Sequence, residues 1–329
     1  MIEGPWYERF WWLIKVIAFL LSCWFIYFHV QEELVVLGDA HRQFFNAEDT
    51  SVSNWLYVIL LLAFLNWSLE AIKWKYLIRE IEKVSFLKAL RAFFNGITLS
   101  FFTPNRAGEF AGRIIYLQPE NRVKGALLSI IGSSAQLLVT VQTGFIALIY
   151  FLPRFVDLDQ LQLWGIRLLF LALILLLSWG WLHLPKLVRI TDKLNIRLSW
   201  KEKMHVWDQC KSADLHKVWW LSLLRYFVFT MQQVLLYKAL SFSPSPLIMI
   251  GLSAISFLLI TLIPSIALGE LGIRGSVNIA VFGFAGALPS TILVATFALW
   301  CLNLVFPAVF GATSVLFLKI RKKVSAAGS

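Results

Sequence analysis

The chain has 329 residues, 59% of them hydrophobic, with 15 Trp, 27 Phe and a mean hydropathy of +0.72; no soluble domain of this size hides that much apolar surface, so a multi-helix membrane bundle is expected. The formal charge of +11 does not point to nucleic acid, because the bases fall in loops beside apolar runs, where the positive-inside rule puts them. Three cysteines far apart, Cys23, Cys210 and Cys301, indicate neither a disulfide framework nor a zinc site.

In chain order, apolar runs near 20 residues, long enough to cross the hydrocarbon, fall at about 10–30, 55–77, 125–152, 164–184, 218–240 and 289–318. The first is expected to be a retained helix, since no small-residue cleavage site follows it. The loop after it carries Glu32, Glu33, Asp39, Glu48 and Asp49 against Arg42 and is expected outside. Lys73, Lys75, Arg79, Lys83, Lys88 and Arg91 follow the second run, and Arg122 and Lys124 open the third; both groups belong inside. The broken apolar region between them, 86–117, therefore starts and ends on one side, as a re-entrant hairpin does and a simple span does not. Span 164–184 returns to a basic linker, 185–217, in which Trp200, Met204 and Trp207 recur at i, i+4, i+7. Either an interfacial helix or a solvated amphipathic connector gives that spacing. Span 218–240 leads outward to a second broken region, 247–286, and the basic "KIRKK" after the last span is expected inside.

The two broken regions resemble each other. The first reads Pro104-Asn-Arg-Ala-Gly108-Glu109 and then Arg113; the second reads Pro264-Ser-Ile-Ala-Leu-Gly269-Glu270 and then Arg274. Each half holds two spans, a hairpin and one span, and an odd count of spans turns the second half upside down. The expected fold is an all-α polytopic membrane protein forming one transmembrane domain. It would be an inverted 3+3 repeat with six full spans, two re-entrant broken-helix hairpins and both termini cytoplasmic. Repeat 1 covers about 1–152 and repeat 2 about 164–322, as in many secondary transporters.

Proline, glycine and charge at membrane depth need surrounding protein or water. Pro104 fits the first turn of a helix starting near Thr103, and Ser265 fits a cap after Pro264, so each hairpin presents a helix N-terminus that attracts anions. Glu109 with Arg113, and Glu270 with Arg274, are i, i+4 pairs. They fit structural salt bridges locking the hairpins, and equally a site in which arginines grip an anion while a glutamate neutralises them when it is empty. Polar stripes on the spans add Ser133, Gln136, Thr140 and Thr143; Asn66, Glu70 and Lys73; Ser222, Arg225 and Gln232; and Asn303. These stripes suit a shared cavity, or interhelical glue with Lys73 snorkelling to the interface. The candidate binding set is Thr103, Asn105, Arg106, Glu109, Arg113, Gln136, Arg225, Gln232, Ser265, Glu270 and Arg274, with Pro104, Gly108, Pro264 and Gly269 shaping the hairpins. No catalytic group, metal ligand set or cofactor site is expected: the five histidines are scattered and no phosphate loop is present.

"TPNRAGEFAGR", followed later by "PSIALGELGIRG", resembles the transmembrane domain family of lysylphosphatidylglycerol synthases, often described as flippase-like. The family's first motif maps onto Pro104, Arg106, Gly108 and Glu109. In the second, Gly275 stands where the family carries an acid, and the acid here is Glu270. The resemblance implies translocation of an anionic or aminoacylated phospholipid, or of a related isoprenoid or glycolipid, between leaflets; the lack of catalytic signals in the residues makes a transporter rather than an enzyme the expectation. Long members add an aminoacyl-transferase domain, which is not expected here. Two other readings stay open: a non-catalytic membrane partner of an envelope-lipid or glycosyl transferase, and a small-solute transporter. A bacterial inner membrane is the expected location.

Overall fold

A computed structural model describes residues 50–101, 103, 106–186, 207, 210–242, 244–263 and 267–316. The expected span 10–30, most of the basic linker, the C-terminal basic run and the hairpin residues Pro104, Asn105, Pro264 and Ser265 lie outside them.

The described residues form helices without strands. In chain order they are α1 (Thr50–Leu77), α2 (Phe86–Ser100), α3 (Gly108–Ile114), α4 (Arg122–Phe151), α5 (Gln160–Leu182), α6 (Ser212–Ala239), α7 (Pro246–Leu262), α8 (Ala267–Gly283), α9 (Pro289–Trp300) and α10 (Phe306–Leu316). Four stretches among them are long and apolar enough to cross a membrane: Trp55–Leu77, Pro119–Arg154, Gln160–Leu182 and Pro289–Ser314. The helix α6 has the length of α1, but it carries Asp214, Lys217, Arg225 and Lys238 and packs on α1 inside the bundle.

Local chemistry sets the boundaries. Ser85 caps α2 by accepting from Lys88 N–H (3.2 Å), and Asp159 with Gln162 forms a capping box on α5. Pro246 and Pro289 occupy first turns, where their missing N–H costs nothing. The last span is not continuous α-helix: Cys301–Val305 is a π-helical turn between α9 and α10. Pro307 lacks the N–H that would bond the Asn303 carbonyl and its ring crowds that carbonyl, which accounts for the bulge there.

Both broken regions fold as helical hairpins whose arms are too short to cross about 30 Å of hydrocarbon upright; α2 is about 22 Å long and α7 about 25 Å at 1.5 Å per residue. In the first, α3 runs back along α2, with Gly112 against Asn95 and Gly96, and Gly108 against Leu99. A Cβ on Gly112 would stand 2.6 Å from the Asn95 carbonyl carbon and the Gly96 Cα. Gly112→Ala is therefore expected to lose about 1–3 kcal/mol by forcing the arms apart. Gly165→Ala, with nothing within 4 Å, should be neutral in the same melting measurement.

The two ends of the first hairpin are tied together. Glu82 pairs with Lys88 Nζ (3.0 Å) on one side and accepts from Gln118 N–H (2.9 Å) and Asn121 Nδ2 (3.3 Å) on the other. Partial burial by itself would raise the Glu82 carboxyl, but the Gln118 N–H, Lys88 and Asn121 outweigh it and hold its pKa below the ordinary 4.5. The tie is thus fully present above about pH 4.5 and is lost as pH falls through the lowered value. Glu82→Gln should flatten the acid limb of a stability–pH curve, read by thermal unfolding. At the base of the second hairpin, aromatics do the joining: Tyr237 packs on Phe242, ahead of α7, and on Phe282, near the end of α8.

The helices α1 and α6 are antiparallel. Ile59 meets Gln232, Glu70 meets Arg225, Lys73 meets Ser222, and Arg79 meets Asp214. The first hairpin leaves from the C-terminal end of α1 and the second from the C-terminal end of α6, so their bases lie at opposite ends of this pair. Apolar clusters occupy both ends of the bundle, one around Trp74, Phe93 and Leu128, the other around Ile59, Phe151 and Tyr237. Between them, midway along α1, α4 and α6, lies a band of polar side chains. The helix α5 is peripheral, with only Leu163 and Trp181 buried, as expected for a lipid-facing span. Trp207 of the linker anchors to α4 by donating to Leu127 O (3.0 Å).

Candidate functional site

The polar band encloses a cavity of about 750 Å³ between the two hairpins, α1, α4 and α6. Its first charged cluster centres on Glu70, which is 4% exposed and faces three cations from three helices. Lys73 Nζ (2.8 Å) and Arg225 Nη1 (3.1 Å) reach Oε2, and Arg113 Nη1 (2.9 Å) reaches Oε1. Arg113 also pairs with Glu109 on its own helix. Lys73 donates to Ser222 Oγ (3.4 Å), and Arg225 to Gln136 Oε1 (3.3 Å).

The second cluster centres on Glu270. Arg274 contacts it through Nε (2.9 Å) and Nη2 (2.6 Å), and Arg106 Nε crosses from the other hairpin to 3.4 Å. Arg106 has φ 57°, the left-handed region that a non-glycine residue seldom adopts. That turn is the last before α3. Five cations thus face three carboxylates, and every carboxylate already has a cationic partner.

Both i, i+4 pairs read from the sequence are formed. Arg106, Glu109, Gln136, Arg225, Glu270 and Arg274 line the cavity, whereas Arg113, 2% exposed, stands behind its wall. Gln232 does not line it: fully buried, it donates to Ile59 O (3.3 Å) and accepts from Asn303 Nδ2 (3.2 Å). Two expectations are corrected. The helix after Pro104 starts at Gly108, not near Thr103; the Thr103 hydroxyl instead accepts from Gly108 N–H (2.6 Å) and bridges the break. Lys73 does not snorkel: it is 1% exposed and paired with Glu70. Asn105 and Ser265, with Pro104 and Pro264, lie outside the described residues, and Gly269 falls in the first turn of α8.

The hub, Glu70 with Lys73, was visible only as part of a polar stripe. Two charges three residues apart inside an apolar run were the available signal, since such residues point inward and pair. Asn66, Ser134 and Asn278 also line the cavity. Among the described residues, no three His, Cys, Asp or Glu side chains gather as a metal site.

The family model described as "Lysylphosphatidylglycerol synthase TM region" matches residues 12–311. The chain belongs to that family. The match to the lysylphosphatidylglycerol synthase TM region takes in both hairpins and every side chain of the two clusters, so the cavity sits wholly within the family domain. Comparison with curated proteins and with solved structures returned no match.

Proposed function

We propose that the protein is a flippase-like transporter that carries the anionic headgroup of a membrane lipid through the cavity while the acyl chains stay in the bilayer. One observation carries the reading: a cavity midway along the long helices holds more cations than carboxylates. Arg106, Arg225 and Arg274 keep 35%, 26% and 22% of their side-chain surface exposed, and a guanidinium fork matches a phosphate in charge and geometry. Exposed apolar side chains, Ile130, Leu137 and Ile263, share the cavity lining with these groups, which suits a headgroup that arrives with its tails outside. Glu70 and Glu270 act as resident counterions that the phosphate displaces in part.

The inverted repeat belongs to this reading. Matched packings support it: α4 packs on α7, and α10 packs on α2, so the last span of each half leans on the first hairpin arm of the other. The opposite placement of the hairpin bases and the antiparallel α1 and α6 agree with it. Rocking of the two halves would expose the cavity to each leaflet in turn. Basic loops beside apolar runs favour a bacterial cytoplasmic membrane with cytoplasmic termini.

The test is reconstitution into liposomes with tail-labelled phosphatidylglycerol in both leaflets and a membrane-impermeant quencher outside. Transport predicts loss of more than half the signal at a rate set by protein density. Folded protein that leaves the inner leaflet untouched overturns the reading and favours a docking role for the basic linker, with an envelope-synthesis enzyme as partner. Uptake of a soluble solute without lipid movement would favour the small-solute reading.

A further inference from the structure

We infer that the headgroup taken by this cavity is a phosphate bearing neutral hydroxyls, a phospho-polyol, and that headgroups carrying an ammonium are turned away; this rests on the lipid-transport reading above. An ammonium needs a free carboxylate. Glu70 is shared by Lys73, Arg113 and Arg225, Glu109 is held by Arg113, and Glu270 by Arg106 and Arg274. An added cation would meet Lys73, Arg106, Arg225 and Arg274 on the wall, with Arg113 behind it, and no carboxylate that lacks a cationic partner, and like charges brought together in a desolvated site repel strongly. Aromatic faces offer little relief, because on the wall Tyr226 and Phe229 pack on Phe257, and Trp300 packs on Phe101 and Phe297, which leaves Phe110.

The neutral part of the headgroup is read from the amides and hydroxyls. Gln232 Nε2 must face Ile59 O, so its Oε1 accepts from Asn303 Nδ2, which also donates to Leu299 O (3.1 Å). Asn303 Oδ1 then accepts from Asn66 Nδ2 (2.5 Å). Two backbone carbonyls thereby set the direction of the whole relay, and it ends in Asn66 Oδ1, a buried acceptor on the cavity wall with no donor. Asn278 Oδ1 is a second acceptor without a partner. Asn66 stands one helical turn from Glu70 and Asn278 one turn from Arg274, about 6 Å along each helix, within reach of a short polyol whose phosphate lies on the arginines. On the facing helix, the Ser133 and Ser134 hydroxyls line the same cavity. Buried acceptors call for a donor, the positive field forbids a charged one, and a neutral O–H meets both conditions.

The experiment compares chain-matched phosphatidylglycerol, phosphatidic acid and lysyl-phosphatidylglycerol for retention on the purified full-length protein by native mass spectrometry. Retention of phosphatidylglycerol is expected to exceed that of the aminoacylated lipid by about tenfold or more, and that of phosphatidic acid by about fivefold. Ser133→Ala/Ser134→Ala, and separately Asn66→Leu, should narrow the phosphatidylglycerol to phosphatidic acid ratio while leaving phosphatidic acid itself unchanged. Equal or better retention of the aminoacylated lipid overturns the inference, as does a ratio that neither variant moves. Arg225→Gln separates the two levels. If it weakens all anionic lipids yet the aminoacylated lipid still binds best, only the polyol inference fails; if no lipid responds, the transport reading fails with it. Glycerol phosphate displacing the lipid at equal concentration would support the headgroup chemistry and move its source to a soluble molecule.

Discussion

Glu70→Gln is expected to destabilise the folded protein by about 3–5 kcal/mol, the cost of leaving a buried charge without its counterion. The reason is the arrangement of the hub. Glu70 is the carboxylate on which α1, α3 and α6 converge, through Lys73, Arg113 and Arg225. Neutralising it leaves Lys73 without an anion and Arg113 with Glu109 only. Lys73→Met should cost far less, because Glu70 keeps two arginines and Met fills much of the volume. Thermal unfolding of the purified proteins, followed by tryptophan fluorescence, checks both. A Glu70→Gln protein that melts with the wild type would mean that water or lipid reaches the cluster freely and that the pairing does not hold the helices.

The second large effect falls on transport rather than stability. Arg225→Gln and Arg274→Gln should each slow movement of an anionic lipid by about 10- to 100-fold, since a hydrogen bond to a charged group contributes about 1.5–3 kcal/mol. The double variant should reduce transport to the protein-free rate. Both residues can be replaced without dismantling the fold, because Glu70 retains Lys73 and Arg113, and Glu270 retains Arg106. Arg154→Gln, in an exposed turn at the end of α4, is the control that changes net charge equally and should leave transport intact. A double variant that transports normally while melting normally would make these arginines purely structural partners of the glutamates.

Much of the architecture was legible in the residues because the bilayer imposes simple rules on length and charge. Four of the expected spans coincide with helices long and apolar enough to cross a membrane, since about 20 apolar residues leave few alternatives. The broken regions were legible too. Proline, glycine and charge cannot face lipid, and the basic residues at both ends of 86–117 required the chain to return. The closed base at Glu82 and the antiparallel α2 and α3 agree with that. Less visible was the helix start at Gly108, where Thr103 supplies a side-chain acceptor across the break and displaces the boundary from the one Pro104 suggests. The π-helical turn at Cys301–Val305 had a signal in Pro307, but proline alone does not say whether a helix kinks, bulges or ends.

The sequence by itself determined the class of molecule, the positions of four long helices, the two hairpins and the local pairs Glu109–Arg113 and Glu270–Arg274, because each follows from periodicity and charge over a few neighbouring residues. Only the tertiary structure decided which charges meet across the chain. Glu70 became a hub for Arg113 and Arg225, Arg106 reached from one hairpin to Glu270 of the other, and Gln232 left the expected binding set to anchor Asn303 instead. Those partners lie 43 to 164 residues apart, and no local spacing rule reaches that far. The excess of cations over carboxylates in the cavity is a sum over four helices, α1, α3, α6 and α8, and it exists only once they are packed together.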